Sequence, residues 1–215
     1  GMKLRARPRM AKIIFVTGTD TGVGKTIFTG LLVHHLRVNG VHALAMKPFC
    51  SGGRGDVRLL RAMQDSELSE EEINPFYFPE PIAPLVSARR RKHLISLGEV
   101  VQRVKAMARR CECLLIDGSG GLLVPLGENF LVSDVIQRLN CEVIVVARNQ
   151  LGTINHTLLT VNALKRFGVK NIVVALVGTS KKDASVEKNG EVLREFLSGS
   201  EVVEVKFLGK KANKI

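Results

Sequence analysis

The chain has 215 residues, 45% of them apolar, with 9 Phe, 1 Tyr and no Trp, so its interior has to be built from Val, Leu, Ile and Ala rather than from aromatic rings. Lys plus Arg outnumber Asp plus Glu by 32 to 20, and a formal charge of +12 draws anions at long range, whether nucleic acid, membrane headgroups or small phosphorylated molecules. No apolar run reaches the ~20 residues of a membrane span and no secretory leader is visible, which argues against a membrane partner and makes the cytoplasm the expected compartment.

Residues 1–11 read as a flexible basic arm carrying Lys3, Arg5, Arg7 and Arg9, with Gly1 a cloning remnant and Met10 an alternative start. Lys206, Lys210, Lys211 and Lys214 make a second basic end, and both ends suit either a solvated, frayed role or a binding one. Residues 12–215 are expected to form one domain, because neither a linker nor an internal repeat interrupts them.

Six short β-branched runs read as buried strands: Ile13–Val16, Ala43–Met46, Leu114–Ile116, Val143–Ala147, Ile172–Val177 and Val202–Val205. Helical spacing fills several gaps between them, over Thr26–Val38, Leu97–Ala108, Asn155–Phe167 and Val186–Leu197. Asn39-Gly40 and Gly168 mark helix ends, and Ser96 with Glu99 forms a capping box. Asn74–Pro84, with Pro75, Pro79, Pro81 and Pro84, cannot be an uninterrupted helix or a central strand; Phe76, Tyr77 and Phe78 are expected to pin it to the body. Strand and helix alternation of this kind predicts an α/β fold, a mostly parallel central sheet with helices on both faces. Cys50, Cys111, Cys113 and Cys141 lack zinc spacing and are expected to be free, buried thiols, with Cys111-Glu112-Cys113 opening a strand.

In such a sheet the chemistry lies just beyond the carboxyl ends of the strands. After the first strand comes Gly18-Thr19-Asp20-Thr21-Gly22-Val23-Gly24-Lys25-Thr26, a loop whose N–H groups and following helix start cradle phosphates. Counted from Gly18 it is one residue longer than the strict G-x-x-x-x-G-K-[ST] spacing, yet its strand and helix context fits the P-loop NTPase type. Lys25 would neutralise the outer phosphate charge and Thr26 would ligate magnesium.

Lys47-Pro48 follows the second strand, where the lysine either faces the phosphate loop as a clamp or is merely solvated. Just beyond it Ser51 offers a hydroxyl, and Asp56 either binds magnesium or caps the helix Val57–Met63. Asp117 ends the third strand beside Gly118-Ser119-Gly120-Gly121, fit to hold magnesium or only to cap a turn. In Arg148–Thr157, free N–H groups at a helix start suit a carboxylate, while His156 reads as a structural or interface residue.

Taken in series, G-T-D-T-G-V-G-K-T, K-P-F-C-S-G, D-G-S-G-G-L-L-V-P-L and L-G-T-I-N-H-T-L-L-T resemble the dethiobiotin synthetase family, over Ile13–Val177. That resemblance implies a homodimeric ligase that joins 7,8-diaminononanoate and carbon dioxide into a ureido ring, consuming ATP with magnesium through a carbamic phosphoric anhydride. It implies catalytic roles for Lys47, Lys25 and Thr21, and nucleotide binding by Thr19, Asp20, Thr21, Gly22, Val23, Gly24, Lys25, Thr26 and Ile27. Ser51, Lys47, Gly120, Gly121 and Leu122 would bind substrate, with Gly152, Thr153, Ile154 and Asn155 of the neighbouring subunit holding its carboxylate; Thr26, Asp56 and Asp117 would serve magnesium.

Four features depart from the family pattern. Asp117 replaces a Glu, the loop after Lys47-Pro48 is trimmed, Val177-Gly178-Thr179 lacks the Asn that reads adenine, and Lys206 replaces a Pro before Phe207-Leu208-Gly209. They make relaxed nucleotide preference an expectation. A partitioning or division-site ATPase switch is the rival of another class, but Asp20 stands where such proteins carry a lysine, which makes nucleic acid an unexpected partner. A degenerate P-loop ligase with another substrate is the second rival.

Overall fold

The computed structural model describes residues 10–180, 184 and 186–207, so residues 1–9 of the basic arm, and Lys210, Lys211 and Lys214 of the tail, lie outside the described residues. In chain order the elements are β1 (Lys12–Gly18), α1 (Lys25–Val38), β2 (Ala43–Met46), β3 (Phe49–Ser51), α2 (Gly55–Met63) and α3 (Glu70–Ile73). Next come β4 (Phe76–Phe78), α4 (Pro84–Arg91), α5 (Leu97–Ala108), β5 (Cys113–Gly121), β6 (Pro125–Gly127) and β7 (Phe130–Leu131). The last are α6 (Val132–Leu139), β8 (Glu142–Arg148), α7 (Thr153–Arg166), β9 (Ile172–Val177), α8 (Val186–Phe196) and β10 (Glu201–Val205).

The six expected strands form one sheet in the order β10-β9-β8-β1-β5-β2, and every pairing is parallel. Strands buried on both faces need no polar alternation, which is why β2 reads Ala-Leu-Ala-Met with all four residues buried. β1 lies between β5 and β8, with Phe15 opposite Ile116 on one side and Val143 on the other. Because the chain builds one half of the sheet from β2 and β5 and the other from β8 to β10, the end of β1 is the crevice where a ligand fits.

The outer edge of β2 is closed by a side chain. Gln64 is fully buried, donating to Ala45 O and accepting from Ala45 N, each at 3.0 Å, so its amide occupies the place of a further strand. Thin aromatic content is no handicap here, since Leu44, Leu114, Leu115, Ile116, Leu164 and Leu176 fill the centre.

Several local expectations are refined. The Pro-rich segment contains β4, which pairs in parallel with β3 outside the main sheet, and Phe76 stacks on Phe49 with ring centroids 5.1 Å apart. Ser96 Oγ accepts from Glu99 N at 3.2 Å, the forward half of the expected box. Gly40 and Gly168 follow the ends of α1 and α7 at φ 83° and 84°. All four cysteines are free, but the strand starts at Cys113, leaving Cys111 just before it, and Cys141 is only half-buried.

Candidate functional site

The phosphate loop is shaped by residues that only glycine can replace. Gly22 and Gly24 sit at φ 71° and 102°, where a side chain strains the backbone, and Gly24 is the residue that starts α1. A Cβ on Gly18 would lie 2.8 Å from Val23 Cγ2 and 3.0 Å from Asp20 O, because the loop folds back over it. Thr19 N donates to Val146 O at 3.1 Å and Thr21 N to Asp20 Oδ1 at 2.6 Å, which fixes the two ends of the turn. Val23 packs with Val16, Val146 and Ala175, so only its backbone faces a ligand; Thr21, Gly22 and Ile27 are exposed.

Two strands and a helix then deliver charge to this loop. Asp117, fully buried at the point where β5 passes the loop, accepts from Thr26 Oγ1 at 2.6 Å and from Lys47 Nζ at 3.0 Å, both on Oδ2. Lys47 leaves the end of β2, and its ammonium lies 3.6 Å from Asp56 Oδ2 and 3.4 Å from Gly118 O. Asp56 stands in the first turn of α2, whose capping residue is Arg54, and it accepts from Thr26 Oγ1 at 3.1 Å. The turn-capping alternatives for Asp56 and Asp117, and the solvated alternative for Lys47, therefore fall away.

Burial opposes the charge on both lysines, with different results. On Lys25 burial wins, and its pKa is lowered despite Asp117 and Asp56. On Lys47 burial is outweighed by the Asp117 carboxylate, the Asp56 carboxylate and the direct hydrogen bond, so its pKa is raised and the ammonium persists. Lys25 Nζ lies 3.4 Å from Asp20 O.

Asp117 Oδ1 is buried with no hydrogen-bond partner, on the carboxylate whose Oδ2 meets the Thr26 hydroxyl that also contacts Asp56. An orphaned carboxylate oxygen among hard oxygen donors fits magnesium, which binds through one or two carboxylates plus substrate phosphates. Among the described residues no group of three His, Cys, Asp or Glu forms an all-protein metal cage.

Ser51 ends β3 with its Oγ buried and unpartnered. Ser119 Oγ donates to Phe49 O at 2.7 Å and ties β5 to β3. Gly120, at φ 64°, has a Cβ position 3.4 Å from Thr21 Oγ1, so the Gly run and the phosphate loop face each other. Gly121 pairs with Gly18 across the sheet. Leu122 corrects its expectation in part: its side chain is buried in the core, which leaves only its backbone to meet a ligand.

The helix start after β8 is built differently. Gly152 at φ 92° precedes α7, and Thr153 N already donates to Gln150 O at 3.1 Å. That leaves the N–H groups of Ile154 and Asn155, whose intrahelical acceptors would precede the helix. His156 is exposed and Leu151 and Leu159 are 81% and 62% exposed, so this end of α7 lies open on the single chain. One residue near the site escaped the sequence reading: Asn74, buried within the Pro-rich segment, with only the following Pro75 to signal a fixed conformation.

A family model described as an AAA domain matches residues 12–209. The ATP-dependent dethiobiotin synthetase BioD of Bacillus licheniformis is 39% identical over 191 residues, 86% of this chain and 81% of that protein. Its counterpart from Anaeromyxobacter sp. is 43% identical over 181 residues, covering 82% and 81%. The chain belongs to the dethiobiotin synthetase family. Among solved structures, the cell division protein FtsY of Thermotoga maritima aligns with a TM-score of 0.54 at 17% identity, over 98% of this chain and 66% of that one. At that identity the likeness is one of fold, a P-loop sheet flanked by helices.

Within the dethiobiotin synthetase frame, the four departures fall at distinct places. Asp117 still reaches Thr26 and Lys47 despite its shorter side chain. The trimmed loop is braced by Tyr77 OH, which donates to Gly52 O at 2.7 Å, and by Arg54, whose guanidinium lies 4.1 Å over the Tyr77 ring. Gly178 N donates to Val205 O at 2.7 Å, holding the ends of β9 and β10 together, with Lys206 and Phe207 exposed beyond; Leu208 and Gly209 lie outside the described residues.

Proposed function

We propose that the chain is an ATP-dependent ligase that closes the ureido ring of dethiobiotin in biotin biosynthesis, and that the Thr26–Asp117–Lys47 cluster is its phosphoryl-transfer centre. The observation that carries the reading is Lys47: a buried ammonium held charged between Asp117 and Asp56, beside the phosphate loop, in a member of the dethiobiotin synthetase family. Transfers of this type depend on positioning and charge neutralisation more than on a strong base.

One amine of 7,8-diaminononanoate takes up carbon dioxide and loses a proton to give a carbamate. A carbamate oxygen attacks the γ-phosphorus, ADP departs, and a carbamic phosphoric anhydride forms. The second amine then attacks its carbonyl carbon and loses a proton, and the C–O bond to phosphorus-bound oxygen breaks to release inorganic phosphate as the ring closes. Lys25 stabilises the outer phosphate oxygens and Lys47 the charge shared between carbamate and phosphoryl group. The exposed Thr21 hydroxyl and the unpartnered Ser51 Oγ hydrogen-bond the reacting groups. Thr26, Asp56 and Asp117 would hold magnesium, which neutralises phosphate charge when bound.

The substrate carboxylate binds across a homodimer, on the helix start formed by Gly152, Thr153, Ile154 and Asn155 of the second subunit. The exposed Leu151 and Leu159 flanking that start support an interface there. Residues 12–215 are read as one domain. No described helix is long and apolar enough to cross a membrane, and the cytoplasm is the compartment assigned.

The test is incubation with diaminononanoate, bicarbonate, magnesium and either ATP or CTP, followed by detection of dethiobiotin and nucleoside diphosphate. Product with wild type and about 1000-fold less, still measurable, with Lys47→Ala is expected. Hydrolysis without product, unaffected by Lys47→Ala, would overturn the reading, and stimulation of that hydrolysis by DNA would favour the ATPase switch.

A further inference from the structure

Lys47 is useful only if its backbone leaves β2 at one angle, and β2 is an edge strand with no further strand of the sheet beyond it to fix that angle. Pro48 removes a donor and biases Lys47 away from the helical region, but it leaves two inward-facing carbonyls, Lys47 O and Pro48 O, in need of partners. A single side chain meets both. Asn74 Nδ2 lies 3.0 Å from Lys47 O, 3.1 Å from Pro48 O and 3.3 Å from Phe76 O. Two backbone bonds complete the bracket: Lys47 N donates to Ile73 O at 2.9 Å, and Phe76 N to Pro48 O at 3.0 Å.

Asn74 is 2% exposed, and its amide orientation follows from its surroundings, since the reverse assignment would set Oδ1 against three carbonyl oxygens. Its side-chain donor serves the turn that carries Lys47 and the strand that backs it, while its backbone N donates to Glu70 O at 2.8 Å. We infer that Asn74 is a positioning residue for catalysis, acting through the Lys47–Pro48 turn to aim the Lys47 ammonium at the phosphoryl-transfer centre. The inference rests on the role proposed for Lys47. Gln64 offers a contrast: it is an equally buried amide, but it binds Ala45 within the strand and leaves the turn untouched.

Two variants test this in the full chain. Asn74→Asp keeps the shape but turns an oxygen toward the three carbonyls, and Asn74→Ser keeps one short donor. Turnover is expected to fall roughly 10- to 100-fold in Asn74→Asp, since misplacing a reacting group by a fraction of its length has that effect. The KM for ATP should stay within about twofold, because the phosphate loop is untouched. Adding Asn74→Ser to Lys47→Ala should cost nothing further, as both act on one group.

A readout independent of turnover is the proton–nitrogen signal of the Lys47 ammonium in protein grown on isotope-labelled lysine, assigned by its loss in Lys47→Ala. It should shift or vanish in both Asn74 variants while the Lys25 signal stays. Equal fractional losses with and without Lys47, an unmoved Lys47 signal, or failure of both variants to fold would each overturn the inference and leave Asn74 a strut. Wild-type protein that makes no dethiobiotin would sink the ligase reading alone, since the Lys47 signal still reports what Asn74 does.

Discussion

Thr26 Oγ1 donates a 2.6 Å hydrogen bond to Asp117 Oδ2, joining the first turn of α1 to the end of β5 across 91 positions of sequence. The same oxygen takes Lys47 Nζ at 3.0 Å, so one carboxylate fixes both the Thr26 hydroxyl and the Lys47 ammonium. Asp117→Asn keeps the volume but removes the charge that holds Lys47. Turnover is expected to drop by about 100- to 1000-fold, with half-saturation by magnesium moving to higher concentration in a metal titration. The folded state should lose about 3–5 kcal/mol, as it does when a buried ion pair is broken from one side. An unchanged magnesium requirement would remove Asp117 from the metal site.

Gly120 faces Thr21 at φ 64°, and a Cβ there would lie 2.7 Å from Val124 Cγ2. Gly120→Ala is therefore expected to cost about 1–2 kcal/mol from the left-handed backbone alone, with the clash added. Thermal melts measure the first effect, and turnover at a temperature where the variant is folded measures how far Thr21 has been displaced. A variant as stable and as active as wild type would show that the loop is not packed this way.

If the substrate carboxylate is held by the second subunit, two dead variants should rescue each other. Lys47→Ala removes the clamp, and Asn155→Glu sets an anion at the exposed helix start where the carboxylate binds. Mixed dimers should recover roughly a quarter of wild-type activity, since half the dimers carry one intact site of two. No recovery, with dimers confirmed by light scattering, would place all substrate contacts within one chain.

Burial raises the thiol pKa of Cys111 to about 11 and that of Cys141 to about 12, and raises Cys50 and Cys113 in the same direction. At neutral pH the reactive thiolate is scarce at all four. A thiol-disulfide reagent should therefore react slowly with the native protein and release four equivalents only on denaturation. A fast-reacting thiol in the native state would contradict this.

Just before β2, His42 meets Glu67, which accepts from it at 2.9 Å and from Arg37 of α1 at 2.9 Å. The hydrogen bond from His42, with Arg37 adding to it, holds the Glu67 pKa below its ordinary 4.5. A carboxylate depressed on folding stabilises above its unfolded pKa and loses that contribution as pH falls through the folded value. The melting temperature of Glu67→Gln should therefore lie below that of wild type at pH 7, with the gap closing at pH values under about 4.5. A gap that widens in acid would reverse the sign of the linkage.

The strand and helix pattern was legible because both periodicities are local: buried parallel strands read as apolar runs, and the amphipathic helices between them repeat every turn. The phosphate loop was legible for a related reason, since its glycines answer backbone needs within nine consecutive residues. The short β3 and β4 were not, because three-residue strands such as Phe76–Phe78 carry no period and exist only by pairing with each other. The part Asn74 plays was not legible, because its bonds to the Lys47–Pro48 turn reach 27 and 26 residues back along the chain.

What the sequence determined by itself, then, was the α/β class, the phosphate loop from Gly18 to Thr26, and the set of strand-end residues from which a site is built. What only the tertiary structure decided was their grouping. Asp56 proved to be a partner of Thr26 and no helix cap, Leu122 turned its side chain into the core, and Asp117 drew Thr26 and Lys47 onto one oxygen. The physical reason is that local preferences act over a few bonds, whereas the balance of burial against charge at Lys47 and Asp117, 70 positions apart, exists only once the chain between them has folded.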